Sequence, residues 1–186
     1  MRNTLSWLPI VSGMTVLVIS LAVAVVVVTN KSTNQDIRSR AVQTMGSFSL
    51  APSSGDYTYS SNQSIPVGII VDSKGASADG VDVIIKFDPA TVTVLANTVT
   101  TTTLFEKFPL NKVDNVVGEI RFSALTFNPK PVTGIVATFS FRPKKAGTVN
   151  FDFGYTAGST TDSNIAEHGT AKDILGAVTN ASFNFR

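Results

Sequence analysis

Between Val67 and Pro89 the chain reads VGIIVDSKGASADGVDVIIKFDP, and the alternation inside this stretch restricts the fold more than any other feature of the sequence. Val81, Val83, Ile85 and Phe87 alternate with Asp82, Ile84 and Lys86. Successive side chains of a strand point to opposite faces, so this period of two predicts a strand with one face in a core. The run stops at Phe87-Asp88-Pro89, because proline brings no amide donor to a ladder. Upstream, Ile65, Val67, Ile69 and Val71 predict a second such strand. Residues Asp72 to Gly80 between them are rich in Ser, Gly, Asp and Ala and predict a loop.

The same alternation recurs in short runs from Gly46 onward. Ser47 to Ala51 predicts a first strand, closed by Pro52-Ser53-Ser54-Gly55, and Asp56 to Ser60 reads as a loop or short strand. Val92 to Ala96 follows the proline. Val116 to Leu125 places Ile120, Phe122 and Ala124 on one side and Glu119, Arg121 and Ser123 on the other. Gly134 to Arg142 puts Ile135, Ala137, Phe139 and Phe141 inward and Val136 outward. After a turn at Pro143 to Gly147, Thr148 to Phe153 and Ala177 to Phe185 complete the set. About nine short strands with frequent Gly/Pro turns and no helical period predict an all-β, antiparallel β-sandwich over residues 46–186. Most of the twelve phenylalanines fall on the inward positions. Burying each is worth about 1.5–3 kcal/mol, so a domain of this size holds together without disulfides.

Composition excludes several kinds of chemistry. The chain has no cysteine, hence no disulfide and no thiolate metal site. His168, in Glu167-His168-Gly169, is the only histidine, which excludes histidine-cluster metal sites and Cys–His nucleophiles. There is no G-x-S-x-G elbow. Glu106, Glu119 and Glu167 are scattered over different elements, whereas a glycosidase needs two acids facing each other across a cleft. The expectation is a non-catalytic domain. The net charge is +2, but from Ala41 onward acids and bases nearly cancel, so no basic surface invites nucleic acid.

Two sets of residues remain as binding candidates. Ile84 stands between Asp82 and Lys86 on the outward side of its strand, and with Arg121, Ser123 and Val136 it forms a mixed apolar and polar patch of the kind protein partners use. The competing reading is that these positions face a loop or a sheet edge. In Asp162-Ser163-Asn164-Ile165-Ala166-Glu167, residues Asp162, Asn164 and Glu167 offer oxygen ligands suited to calcium, although Asx-rich loops also form turns on their own. No other cofactor is expected. Tyr57, Tyr59 and Tyr155 make a thin stacking platform for a sugar, so direct polysaccharide binding ranks behind a protein partner.

The N-terminal residues 1–30 read as a single membrane-spanning helix. No charged residue lies between Arg2 and Lys31, and Met14 to Val28 is continuously apolar apart from Thr15 and Ser20. Ala22-Val23-Ala24 is the competing signal-peptide cleavage site, but cutting there strands Val25 to Val28 as an apolar tip. Lys31, Arg38 and Arg40 after the span outnumber Arg2 before it, which by charge alone favours a cytoplasmic C-terminal side. Long domains translocate largely regardless of such charges, and the expected arrangement is a single-pass anchor with the C-terminal domain extracytoplasmic. A filament subunit of the pilin kind is a further alternative, disfavoured because the apolar run lacks an acidic residue. Residues 31–45 are polar and read as a flexible linker.

The loop Val71-Asp72-Ser73-Lys74-Gly75, the strand opening Gly80-Val81-Asp82 and the terminal Phe87-Asp88-Pro89 together resemble the cohesin family. Val117-Gly118-Glu119-Ile120-Arg121-Phe122-Ser123 is similar to that family's G-x-I-x-x-S strand. Phe139 to Lys145 with Ala146-Gly147-Thr148, and the closing Val178 to Phe183, resemble its later strands in the same order. The resemblance implies a jelly-roll sandwich, related in fold to cellulose-binding modules, that binds rather than catalyses. Cohesins hold dockerin modules and so assemble polysaccharide-degrading enzymes on a scaffold or cell surface. It further implies that Asp82 contacts the partner. The position two residues earlier, often polar in the dockerin-binding type, is Gly80 here.

Overall fold

The computed structural model describes residues 45–96, 99–159 and 161–186. The expected anchor, and the linker apart from Met45, lie outside the described residues. Among the described residues no helix is long and apolar enough to cross a membrane.

The described chain is all β. Its first strands are β1 (Gly46–Ala51), β2 (Ser54–Tyr57), the 23-residue β3 (Ile65–Phe87), β4 (Val92–Val94) and β5 (Thr100–Thr101). They are followed by β6 (Lys107–Asp114), the 25-residue β7 (Glu119–Pro143), β8 (Gly147–Phe153), β9 (Asn164–Glu167), β10 (Leu175–Thr179) and β11 (Ala181–Phe185). Strands β3 and β7 run antiparallel from Ile65 opposite Phe141 to Lys86 opposite Glu119. This ribbon is long enough to belong to both layers of a sandwich. Its Ile65 end pairs with β1 and, through β1, with β10, while β4 and β5 add to β7. Its Lys86 end carries β6 on one side and β9 and β8 on the other, and β8 continues through β11 to β2.

Rings from the two layers meet in the core. Phe141 of the first layer lies 4.8 Å from Phe151 and 5.1 Å from Phe183 of the second, and Phe48 stacks on Phe153 at 5.7 Å. Tilted aromatic pairs at these separations add about 0.5–1.5 kcal/mol each beyond the area they bury. The inward alternations of Val81 to Phe87, Ile120 to Ala124 and Val149 to Phe153 are all buried as expected.

Several expectations need correction. The sheet is mixed rather than wholly antiparallel, because β1 with β10 and β11 with β2 are parallel. Among the described residues eleven strands replace about nine. Residues 72–80 do not leave the sheet: pairing resumes at Ser77 opposite Pro131 after an irregularity. Lys74 and Gly75 take positive φ (53° and 86°) and turn the backbone there. The fully buried Ser73 hydroxyl donates to the Ala76 carbonyl (2.6 Å) and accepts from the Val132 amide (3.0 Å), covering the interrupted ladder.

Val116 and Val117 are exposed turn residues, not the start of a strand. The Asp114 carboxylate accepts both their amides (3.1 and 3.0 Å), and Gly118 follows at φ 82°. Strand β6 has no counterpart in the alternation, because Pro109 interrupts it and its core-facing apolar residues, Phe108 (5.7 Å from Phe122) and Val113, are widely spaced. Val136 is fully buried, whereas Ile135 is 42% exposed, reversing their expected faces. Ile69 pairs with Ala137 and Ile70 with Ile135, so Val136 is the extra residue of a bulge, which flips the parity beyond it. The C-terminal run divides at Asn180, whose side chain accepts the Phe153 amide (3.0 Å) as the chain passes from β10 in one layer to β11 in the other.

Candidate functional site

The outer face of the β6–β7–β3–β9 layer gathers most of the residues singled out from the sequence. Facing residues in neighbouring strands point the same way. Leu110, Ser123, Asp82 and Asn164 therefore form one row across four strands. Lys112, Arg121 and Ile84 form the row beside it, and Leu125, Gly80 and Ala166 the row on the other side. Asp82, Ile84, Leu110, Arg121, Ser123, Asp162 and Asn164 line an open depression of about 180 Å³.

Asp82 sits at the centre of this face. Its Oδ1 accepts a short hydrogen bond from the Ser123 hydroxyl, and its Oδ2 receives only a long contact from Asn164 Nδ2, at 3.4 Å. One carboxylate oxygen is thus held in place while the other keeps capacity to accept. Arg121 is held by Glu119, two residues earlier on the same strand face, and that carboxylate raises the guanidinium's already high pKa.

One wall of the depression comes from a break in the sheet. Strand β9 pairs with β3 up to Asn164 opposite Asp82, and β8 resumes with Phe153 opposite Ile85. Residues 154–159 and 161–163 lie outside the sheet between them. At the break Ser163 is fully buried: its hydroxyl accepts the Ile84 amide (3.0 Å) and donates to the Ile84 carbonyl (3.2 Å). The Asp162 carboxylate accepts the Thr156 amide at 2.5 Å and so closes the excursion on itself. Ile84 is half-buried beneath it, and a Cβ on Gly154 would stand 3.1 Å from Ile84 Cγ2. Both readings of Ile84 therefore hold in part, since it faces outward and a loop covers it.

Three candidates lie apart from this cluster, the first being Val136, which was expected in the patch but is fully buried at the bulge of β7. Lys86 is on the same face but lines a separate depression of about 320 Å³ with Asp88, Thr91, Thr148, Asn150 and Asp152. Of the three oxygen-bearing residues read as calcium ligands, Asp162 and Asn164 reach the depression, whereas the Glu167 carboxylate accepts the Thr170 hydroxyl (2.7 Å). Among the described residues no three His, Cys, Asp or Glu side chains are grouped to hold a metal ion. His168 pairs through Nδ1 with Asp79 at 2.7 Å on the rim, both being well exposed.

Sequence reasoning missed the apolar part of the face. Leu110 is exposed, Leu125 is half-exposed, and Phe127 at the end of the same row of β7 positions is 69% exposed. The parity of Leu125 and Phe127 with Arg121 and Ser123 was a usable signal, while Leu110 was hidden because β6 was not recognised. Glu106 fixes the backbone beside Phe127, taking the Asn128 side-chain amide (2.7 Å) and the Phe127 amide (3.2 Å), and these bonds hold its carboxyl below the usual range. The three tyrosines are half-buried: Tyr57 stacks on Phe185, Tyr59 donates to the Lys144 carbonyl, and Tyr155 donates to the Leu175 carbonyl.

No family model matches the sequence. No curated protein matches it either. Solved structures do match in fold. The third cohesin ScaC of Acetivibrio cellulolyticus, solved in complex with the ScaB dockerin, superposes with a TM-score of 0.59 at 16% identity, over 76% of this chain and 99% of that one. A type I cohesin–dockerin complex from Clostridium thermocellum gives 0.59 at 11% identity, over 76% and 94%. A non-cellulosomal cohesin from the hyperthermophilic archaeon Archaeoglobus fulgidus gives 0.56 at 14% identity, over 76% and 91%.

Proposed function

Given a chain with the cohesin fold, we propose that it is a non-catalytic docking module that holds a protein partner of the dockerin kind on the β6–β7–β3–β9 face. The observation that carries this reading is the convergence of Asp82, Ile84, Arg121 and Ser123 on one open face, where Asp82 is fixed by Ser123 and its second oxygen, with one long contact from Asn164, keeps capacity to accept. Leu110, Leu125 and Phe127 give the face the apolar surface that protein partners desolvate. Polysaccharide recognition is disfavoured by the tyrosines, which spend their rings or hydroxyls on the domain itself. Residues 1–30 serve in this reading as a single-pass anchor that presents the domain outside the cell, and the apolar run from Met14 to Val28 is what supports it.

The test is capture by the full chain in detergent micelles, offered the exported proteins and insoluble polysaccharides of its source, with and without calcium. Capture of a protein that Asp82→Ala or Ile84→Ala abolishes supports the docking role. Retention on polysaccharide alone refutes it, as does protein capture that neither substitution changes.

A further inference from the structure

The docking face has a hollow where a side chain is missing. Gly80 lies between Leu125 of β7 and Ala166 of β9 in the row next to Asp82. Its neighbours rise around it: Pro109, Leu125 and Ala166 form the walls, with Asp79 and Asp82 at the sides. The space is about 300 Å³ and shares Asp82, Ser123 and Asn164 with the neighbouring depression. A Cβ on Gly80 would stand 2.6 Å from the Ala124 carbonyl oxygen, so the backbones approach too closely there for any other residue to fit without a shift. The floor is therefore permanently bare.

A bare floor with hydrocarbon walls offers a visiting polar group nothing on those walls, so an apolar side chain gains most by filling it. The flanking carboxylates then select what stands beside that side chain. Among the described residues Asp82 keeps one oxygen with a single 3.4 Å contact and Asp79 is engaged by His168 through one oxygen, so a cation next to the apolar group meets acceptors on either side. Resting on the reading that this face docks a protein, we propose that the Gly80 hollow takes a bulky aliphatic or aromatic side chain of the partner, adjacent to a lysine or arginine held by Asp82 and Asp79. The hollow is a specificity subsite, and it sets which partner segments the face accepts.

The test immobilises the full chain in detergent micelles and selects binders from a display library of random short peptides. Ala166→Gln fills the hollow from its half-exposed wall, where the fold has room, and Leu125→Ser removes the opposite apolar wall. Gly80→Ala is avoided because of the Ala124 carbonyl. Enriched peptides are expected to carry Leu, Ile, Met or Phe beside Lys or Arg. Ala166→Gln then lowers their capture about 10- to 100-fold, as loss of one buried apolar side chain predicts. Leu125→Ser lowers it less, and Asp82→Asn removes the basic preference while the apolar one persists. Peptides that need Asp82 and Ile84 yet bind the Ala166→Gln chain unchanged overturn the hollow and leave the docking face standing. Enrichment insensitive to every face substitution overturns both.

Discussion

Replacing Ser163 by alanine isolates one contact that joins the break between β8 and β9 to the docking face. The serine hydroxyl is fully buried and serves both polar groups of Ile84, accepting its amide at 3.0 Å and donating to its carbonyl at 3.2 Å. The carbonyl also accepts the Gly154 amide at 2.8 Å and so stays satisfied when the hydroxyl is gone. Only the Ile84 amide is left without its partner, which costs about 1–3 kcal/mol for a buried donor. In a domain of this size the middle of that range lowers the melting midpoint by about 4–8 °C. Thermal unfolding followed by circular dichroism checks this, with Ser53→Ala as the control, since an exposed serine shifts stability by no more than about 0.5 kcal/mol. Hydrogen exchange adds a second readout, because the Ile84 amide is expected to lose protection ahead of its neighbours Val83 and Ile85. Equal midpoints for the two variants, with Ile84 protection intact, would refute the assignment of Ser163 as the partner that satisfies the Ile84 amide at the break in the sheet.

Three further outcomes follow from the same physical reasoning. Ser73→Ala strands the buried Val132 amide at the kink of the long ribbon and is expected to destabilise by a similar 1–3 kcal/mol or so in chemical unfolding, whereas Ser73→Thr retains the hydroxyl and loses less. Gly118→Ala combines φ 82° with a Cβ placed 2.1 Å from the Phe87 carbonyl, so it is expected to cost at least about 1–3 kcal/mol, read as a lower urea midpoint at unchanged slope. The Asp114 carboxyl is held below its ordinary value by the Val117 and Val116 amides, and Glu106 by the Asn128 side chain and the Phe127 amide. A carboxyl lowered in the folded state stabilises fully above its unfolded pKa and loses that contribution as pH falls through the folded value. Stability is therefore expected to hold near neutral pH and decline below about pH 4, with a shallower acid limb in Asp114→Asn.

What was legible in the sequence was whatever the period of two controls locally. Val81 to Phe87, Ile120 to Ala124 and Val149 to Phe153 sit where their alternation placed them, because each runs straight beside a neighbour with one face buried. The reading failed where a single residue broke that period. The bulge at Val136 exchanged its face with that of Ile135, and Pro109 concealed β6 and with it Leu110. The kink at residues 72–77 looked like a loop because its composition is that of a turn, but one buried hydroxyl keeps the ribbon paired on both sides. Of the candidate site, the outward placement of Asp82, Ile84, Arg121 and Ser123 was legible from strand parity, whereas Asp82 as a partner contact came only from the family resemblance. Their union with Asp162 and Asn164 depends on β9 pairing with β3 at long range, and the sequence gives no register for that.

The docking role is tested most directly by mapping the footprint of a captured protein partner on the full chain by hydrogen–deuterium exchange. Protection confined to β6, the Glu119–Leu125 part of β7, the Gly80–Lys86 part of β3 and β9 is the predicted result. Protection on the opposite layer instead, around Ser49, Ile70 and the exposed Ile135, would contradict it.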